Sequence, residues 1–181
     1  MREVMISIQP KWCEKIFNII GYSVGGTPIY EKDVEVRRNK PNLETPFKAY
    51  VYCTKGKDLL TSVNGIVNKP NEIVLDLTTD NEIRELNGKV IGEFVCDKTT
   101  EYECSSVGHG ELATTCGTCL TYDEIINYCN GNSLYGWHIA NRVLYDEPKE
   151  LGEFTGLRKT KFGYEPIKIK KAPQSWFYVE G

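Results

Sequence analysis

Polar and apolar residues alternate from the start of the chain, with Val4, Ile6 and Ile8 set against Met5, Ser7 and Gln9. A period of two predicts a half-buried strand over Val4 to Gln9. Pro10 stops that strand and suits the first turn of a helix. Pro10 to about Ile20 is therefore expected to be helical, with Trp12 or Cys13, Ile16, Phe17 and Ile20 as one apolar stripe and Gly21 as its end. Gly21 to Tyr30, containing Gly25, Gly26 and Pro28, reads as a mobile loop.

The next segment, Glu31 to Arg38, places charges where a strand is usually apolar. In extended backbone Val34 and Val36 share one face, which can enter a core, while Glu35 and Arg37 share the other, with Lys32 at the strand mouth. A carboxylate beside a guanidinium and an ammonium can grip a polar ligand that carries both donors and anionic groups, or can form an ordinary surface ion pair.

Phe47 to Cys53 alternates Phe47, Ala49, Val51 and Cys53 against Lys48, Tyr50 and Tyr52, and is expected as a strand paired with the charged one. Residues of about 54–87 lack a period and are punctuated by Gly, Asn and Pro, so they read as an excursion from the sheet, with a short helix around Asp80 to Leu86. Lys89 to Asp97 is apolar on both faces except at Glu93, which needs a partner. Lys98 to Thr118 reads as a surface loop. Thr121 and Glu124 form a capping box ahead of a helix with Tyr122, Ile125, Ile126 and Cys129 as its buried stripe. Trp137 to Tyr145 and Ser175 to Glu180 are further strands, with a helical turn from Pro148 to about Phe154. Strands outnumber helices without βαβ alternation, which favours a small closed or partly closed mixed β-barrel packed with two or three helices, an α+β class.

The 181 residues fit one domain, with 40% hydrophobic and 26% charged residues and 11 Tyr, an ordinary soluble composition. No secretory signal pattern is present, no apolar run is long enough to span a bilayer, and seven cysteines suit reduced thiols better than a disulfide framework. A cytoplasmic protein with no membrane contact is expected. The net charge of −3 offers no global attraction to nucleic acid. Locally, a basic C-terminal loop at about 155–173 gathers Arg158, Lys159, Lys161, Lys168, Lys170 and Lys171 around Phe162 and Tyr164, and Arg158, Lys159 and Lys161 can meet a nucleic-acid backbone.

Several short motifs, taken together, resemble a known family. They are Ser7-Ile8-Gln9-Pro10-Lys11-Trp12, Lys32-x-x-Glu35-x-Arg37, Gly88-Lys89-Val90-Ile91-Gly92-Glu93, Tyr135-Gly136-Trp137-His138-Ile139 and Pro173-Gln174-Ser175-Trp176. In this order and spacing they resemble the ASCH domain, a PUA-like β-barrel fold, in a branch common in bacteria and their prophages. The resemblance covers nearly the whole chain, 1–181, as a single domain. It implies a cleft for RNA or a modified nucleoside, lined by Lys32, Glu35, Arg37, Trp12 and Ser7. Two positions depart from the family pattern. Tyr30 replaces the signature glycine after a longer loop, which leaves Lys32 loosely placed, and Glu35 stands where one branch has a threonine nucleophile, so that branch's amidohydrolase reaction is not carried over.

The expected activity is binding of RNA or a nucleotide-derived small molecule. Arg37 can contact phosphate or a base edge, and Trp12, Tyr50, Tyr52 or Trp137 can stack on a base or fill the core. A hydrolase of RNA or modified nucleosides, of ribonuclease or amidohydrolase type, is the alternative, with Lys32, Glu35 and Glu93 as candidate acid or base groups. A protein-interaction module is the third reading. Cys104, His109, Cys116 and Cys119 offer four possible zinc ligands in one loop, but their spacing fits no common knuckle, so neither a stoichiometric metal nor a cofactor is expected. The sequence leaves the oligomeric state open.

Overall fold

The computed structural model describes residues 1–72, 82–115 and 117–181. In chain order the elements are β1 (Arg2–Ile8), α1 (Pro10–Phe17), β2 (Ile19–Tyr22), β3 (Pro28–Tyr30), β4 (Val34–Arg37), β5 (Phe47–Cys53), β6 (Thr61–Val63), β7 (Ile66–Val67) and β8 (Ile83–Glu85). They continue with β9 (Val90–Tyr102), α2 (Ser106–Thr114), α3 (Tyr122–Cys129), β10 (Leu134–Lys149), a 3-10 turn (Leu151–Glu153), β11 (Thr155–Thr160), β12 (Gly163–Lys168) and β13 (Trp176–Glu180). The fold is mixed α+β and mostly strand. Among the described residues no helix is long and apolar enough to cross a membrane.

The chain divides into two compact units, one of Met1–Asn18, Lys48–Phe94 and Arg142–Gly181, the other of Ile19–Phe47 and Val95–Asn141. Strands β9 and β10 contribute to both. In the first unit β1 pairs antiparallel with β13 and parallel with β5, from Val4 against Ala49 to Ile8 against Cys53. A parallel pair needs a long crossover, and α1 lies within it. Strand β1 is buried along most of its length rather than half-buried, because α1 supplies a second apolar layer through Cys13, Ile16 and Phe17. Gly92 on β9 permits that layer to close, since a β-carbon there would stand 2.9 Å from Cζ of Phe17 and 2.3 Å from the Val143 carbonyl oxygen. A core of Met5, Tyr52, Val90, Ile169 and Val179 is packed by Tyr50, Tyr145, Leu151 and Phe154.

In the second unit β4 pairs antiparallel with β10, Tyr135 against Arg37 and His138 against Val34. Helices α2 and α3 close a core of Val36, Leu112, Ile125, Cys129 and Leu134. The capping box of α3 forms as expected: Thr121 accepts from the Glu124 amide and Glu124 accepts from the Thr121 amide. In neither unit do the described pairings close a barrel.

Several expectations need correction. Helix α1 ends at Phe17, and Ile20, counted toward its stripe, lies instead on strand β2, where it is 58% exposed. The expected loop Gly21 to Tyr30 is instead largely a hairpin of β2 and β3. Strand β4 pairs with β10 rather than with β5, whose partners are β1 and β9. Residues 98–118 are not one loop: β9 continues to Tyr102 and α2 follows. Within 54–87, β6 pairs with β7 and β8, so residues 83–85 are strand rather than helix, while Asp80 lies outside the described residues. The basic segment 155–173 holds the antiparallel hairpin of β11 and β12 rather than a loop.

Candidate functional site

Both faces of β4 are buried, so the charged residues of this strand lie inside the second unit and not on an open surface. Glu35 is held from two sides. Arg37 Nη2 stands 2.8 Å from Glu35 Oε1 and Lys32 Nζ 3.4 Å from Oε2, with side-chain exposures of 10% for Arg37, 8% for Glu35 and 2% for Lys32. Lys32 Nζ also donates to the carbonyl oxygens of Val34 at 2.9 Å and Thr118 at 2.7 Å. An ammonium has three N–H donors, and this one meets two carbonyls and a carboxylate. The expectation of a loosely placed Lys32 is therefore not met.

The segment 117–119 explains why. The Gly117 carbonyl accepts from the amides of Asp33 (2.8 Å) and Val34 (3.0 Å), and the Cys119 thiol donates to the Glu31 carbonyl at 3.2 Å. Gly117 has a φ of +87°, and a β-carbon there would stand 2.7 Å from the Asp33 nitrogen, so glycine is what lets the two segments meet. Three consecutive residues thus clamp the approach to β4. The sequence signal for the clamp is a glycine in a Ser/Thr/Cys-rich stretch, too general to single out.

The other predicted site residues lie in the first unit. Ser7 Oγ donates to the Pro173 carbonyl at 2.7 Å and its amide to the Ser175 carbonyl, which ties β1 to the approach of β13. Trp12 is half-buried on α1, with Lys11 Nζ 4.3 Å from its ring centre. In the second unit Trp137 is fully buried and packs edge-on against Phe47, a core role.

Glu93 finds partners that the sequence did not suggest. Lys48 Nζ lies 2.9 Å from one carboxylate oxygen and Tyr145 Oη donates to the other at 2.6 Å. Burial alone would raise this carboxyl's pKa, but the hydrogen bonds from Tyr145 and Lys48 outweigh it and hold the group below its ordinary value. A raised pKa, which would have suited a base, is not found. Beside it, Tyr50 donates to Glu3 at 2.5 Å, and burial together with that bond pushes the Tyr50 phenol well above its usual range.

On the hairpin, Arg158, Lys159 and Lys161 are all exposed, and Arg158 pairs with Glu165 across the strands at 3.3 Å. Tyr164, opposite Lys159, packs edge-on against Tyr178, which in turn meets Trp176, while the Arg2 guanidinium lies 4.5 Å from the Tyr164 ring centre. Basic and aromatic side chains therefore share this sheet end, and Phe162 stands almost fully exposed at the hairpin tip.

Of the four possible zinc ligands in the sequence, the three that the structure describes do not form one group. Cys119 is engaged with Glu31, and Cys116 lies outside the described residues. Cys104 and His109 instead meet Cys129.

No family model matches the chain, and no curated protein matches it. Solved structures do. The chain is similar to a serine-to-alanine variant of the ASCH protein from Zymomonas mobilis, at 15% identity and a TM-score of 0.50, over 98% of this chain and 88% of that one. The unsubstituted ASCH protein from the same organism gives 15% identity and a TM-score of 0.49 over 98% and 87% of the two chains. The first of these comparisons supports the resemblance found in the sequence motifs: the chain has an ASCH-like fold.

Proposed function

We propose that this chain is an ASCH-type module that binds RNA or a nucleotide-derived small molecule at the Lys32–Glu35–Arg37 cluster of β4, as a cytoplasmic protein with a PUA-like barrel. Because the fold likeness spans 98% of the chain, we treat both units as parts of one domain. The observation that carries the reading is the Glu35 carboxylate fixed between two cations in a nearly closed setting. Taking ionic groups out of water costs several kcal/mol per ion and rarely adds stability over an apolar packing, so a buried ionic trio on a strand is better suited to recognition than to holding the fold. About a tenth of the Arg37 side chain reaches solvent, which limits contact to a ligand group that inserts toward it. The guanidinium suits a phosphate or a base edge, and Glu35 suits an exocyclic amine.

The hydrolase alternative is less well supported. Lys32 is hydrogen-bonded to two carbonyls, which suits an orienting cation better than a proton carrier, and the Glu93 carboxyl is held below its ordinary value. Burial of β4 likewise weighs against a charged face offered to a protein partner. The exposed Arg158, Lys159 and Lys161 would give an RNA ligand a second, sequence-independent contact.

The test is a titration of short fluorescent RNAs and of nucleoside mono- and triphosphates against wild type, Arg37→Ala and Glu35→Gln, with thermal unfolding of each variant as a folding control. Removing a charge-assisted contact costs about 1.5–3 kcal/mol, so Arg37→Ala should bind roughly 10- to 100-fold more weakly. Binding by wild type that Arg37→Ala leaves unchanged removes the site. Wild-type hydrolysis that Glu35→Gln abolishes at unchanged affinity replaces the binding module with an enzyme.

A further inference from the structure

Cys104 follows the end of β9, His109 lies on α2 and Cys129 is the last residue of α3. Nothing in their spacing brings them together, but the fold does. The Ser105 hydroxyl caps α2 by accepting from the Gly108 amide. Gly108 lies against Glu103, whose carbonyl oxygen would be 2.2 Å from any β-carbon there, so the absence of a side chain lets α2 fold tightly back on the segment that holds Cys104. Leu112 on α2 and Ile125 on α3 share one apolar core, and this docking brings Cys129 to the same place.

The two sulfurs and the imidazole nitrogen all lie within 4.8 Å of one another, and His109 Nε2 is 3.2 Å from Cys129 Sγ. A tetrahedral zinc ion with Zn–S of about 2.3 Å and Zn–N of about 2.0 Å separates its ligand atoms by about 3.5–3.8 Å. The separations of these three atoms, from 3.2 Å to at most 4.8 Å, bracket that spacing. We propose that Cys104, His109 and Cys129 form a binding site for a thiophilic divalent cation, zinc above all. Thiolate and imidazole donors select zinc over magnesium or calcium, which require oxygen ligands.

The surroundings fit a metal thiolate centre. After α3 the backbone turns through Asn130 (φ 46°) and Gly131 (φ 82°) directly beyond Cys129. The Tyr122 ring stands edge-on to the His109 imidazole, with ring centres 6.1 Å apart. Cys129 is buried while Cys104 is exposed, so an ion enters from the Cys104 side and takes a fourth ligand from solvent. Its role is a staple between the start of α2 and the end of α3, the two helices that pack on Val36 of β4. Among the described residues this ligand set differs from the one the sequence suggests, because Cys129 joins Cys104 and His109 while Cys119 is engaged with Glu31.

The test uses reduced full-length protein. Cobalt(II) titration should develop a thiolate-to-cobalt charge-transfer band, and zinc-loaded protein after gel filtration should retain about one equivalent of zinc by elemental analysis and melt at a higher temperature than the chelated protein. Cys104→Ser, which alters an exposed side chain and leaves the core alone, and His109→Gln should each abolish the band and the retained zinc; Cys119→Ser should keep both. The proposal is overturned if reduced, folded wild type shows neither band nor zinc, or if Cys104→Ser and His109→Gln bind metal as wild type does. Formation of a Cys104–Cys129 disulfide in air by a protein that takes up no metal when reduced would likewise overturn it, in favour of a redox pair.

Discussion

Gly117→Ala tests the clamp that holds Lys32. A β-carbon at this position would stand 2.7 Å from both the nitrogen and the Cβ of Asp33, whereas non-bonded carbons prefer about 3.5–4.0 Å. Backbone on one side and a short side chain on the other leave little room to yield, and overpacking of this kind costs about 1–3 kcal/mol. The φ of +87° adds about 1 kcal/mol of strain for any L-residue. Relief by moving Asp33 breaks the hydrogen bonds that the Asp33 and Val34 amides donate to the Gly117 carbonyl and displaces Thr118, whose own carbonyl accepts from Lys32. The total is about 3 kcal/mol, which for a chain of this length lowers the unfolding temperature by roughly 6–12 °C. Gly26 supplies the control, with a φ of +77° and nothing within 4 Å of its β-carbon position. Gly26→Ala meets only the backbone strain, about 1 kcal/mol or roughly 2–4 °C, part of it offset by lower entropy of the unfolded chain. Circular dichroism melts of both variants alongside wild type make the comparison. Equal shifts for the two glycines would refute the close approach of Gly117 to Asp33 and with it the account of how Lys32 is placed.

Two further outcomes follow from the first unit. Glu93→Gln should cost about 1 kcal/mol at pH 7, because it removes the ion pair to a partly exposed Lys48 and weakens the bond from Tyr145. The Glu93 pKa is depressed in the folded state, so that stability is present above the ordinary carboxylate range and is lost as pH falls through the folded value; the difference between wild type and variant should shrink in acid, and a difference unchanged between neutral and strongly acid pH would contradict the Tyr145 and Lys48 assignment. Neutralising Arg158, Lys159 and Lys161 together should weaken RNA binding and flatten its salt dependence, since phosphate contacts release counterions, and an unchanged slope in a salt titration would remove the hairpin from the interface.

What the sequence revealed and what it concealed follow from how far each signal reaches along the chain. The Thr121–Glu124 capping box and the alternation of Phe47 to Cys53 are local patterns, and both correspond to observed elements. Helix α2 leaves no helical signal in the sequence because only Gly108 and Leu112 of its residues are buried, which gives no apolar stripe, and two glycines argue for a loop. Strands β11 and β12 were hidden because most of their side chains are exposed, and a hairpin of that kind is held by backbone pairing that composition does not record. The β2–β3 hairpin is obscured by Ile20, an apolar residue that continues a helical stripe on paper but sits exposed on a strand. At the candidate site, the juxtaposition of Glu35 and Arg37 follows from a two-residue spacing. The carbonyl of Thr118 that fixes Lys32 is 86 residues away, and the Tyr145 that bonds Glu93 is 52 away, separations over which no local pattern speaks.

The central claim is that a nucleotide-bearing ligand inserts toward β4. Its most direct test is a titration of isotope-labelled protein with nucleoside phosphates and a short RNA, followed by amide and Arg side-chain nuclear magnetic resonance shifts. The account predicts saturable shifts at Lys32, Glu35 and the Arg37 guanidinium, with those of Trp137 and Tyr135 on the paired strand following. Ligand-induced shifts confined to other residues, with β4 and Arg37 silent at saturation, would contradict it.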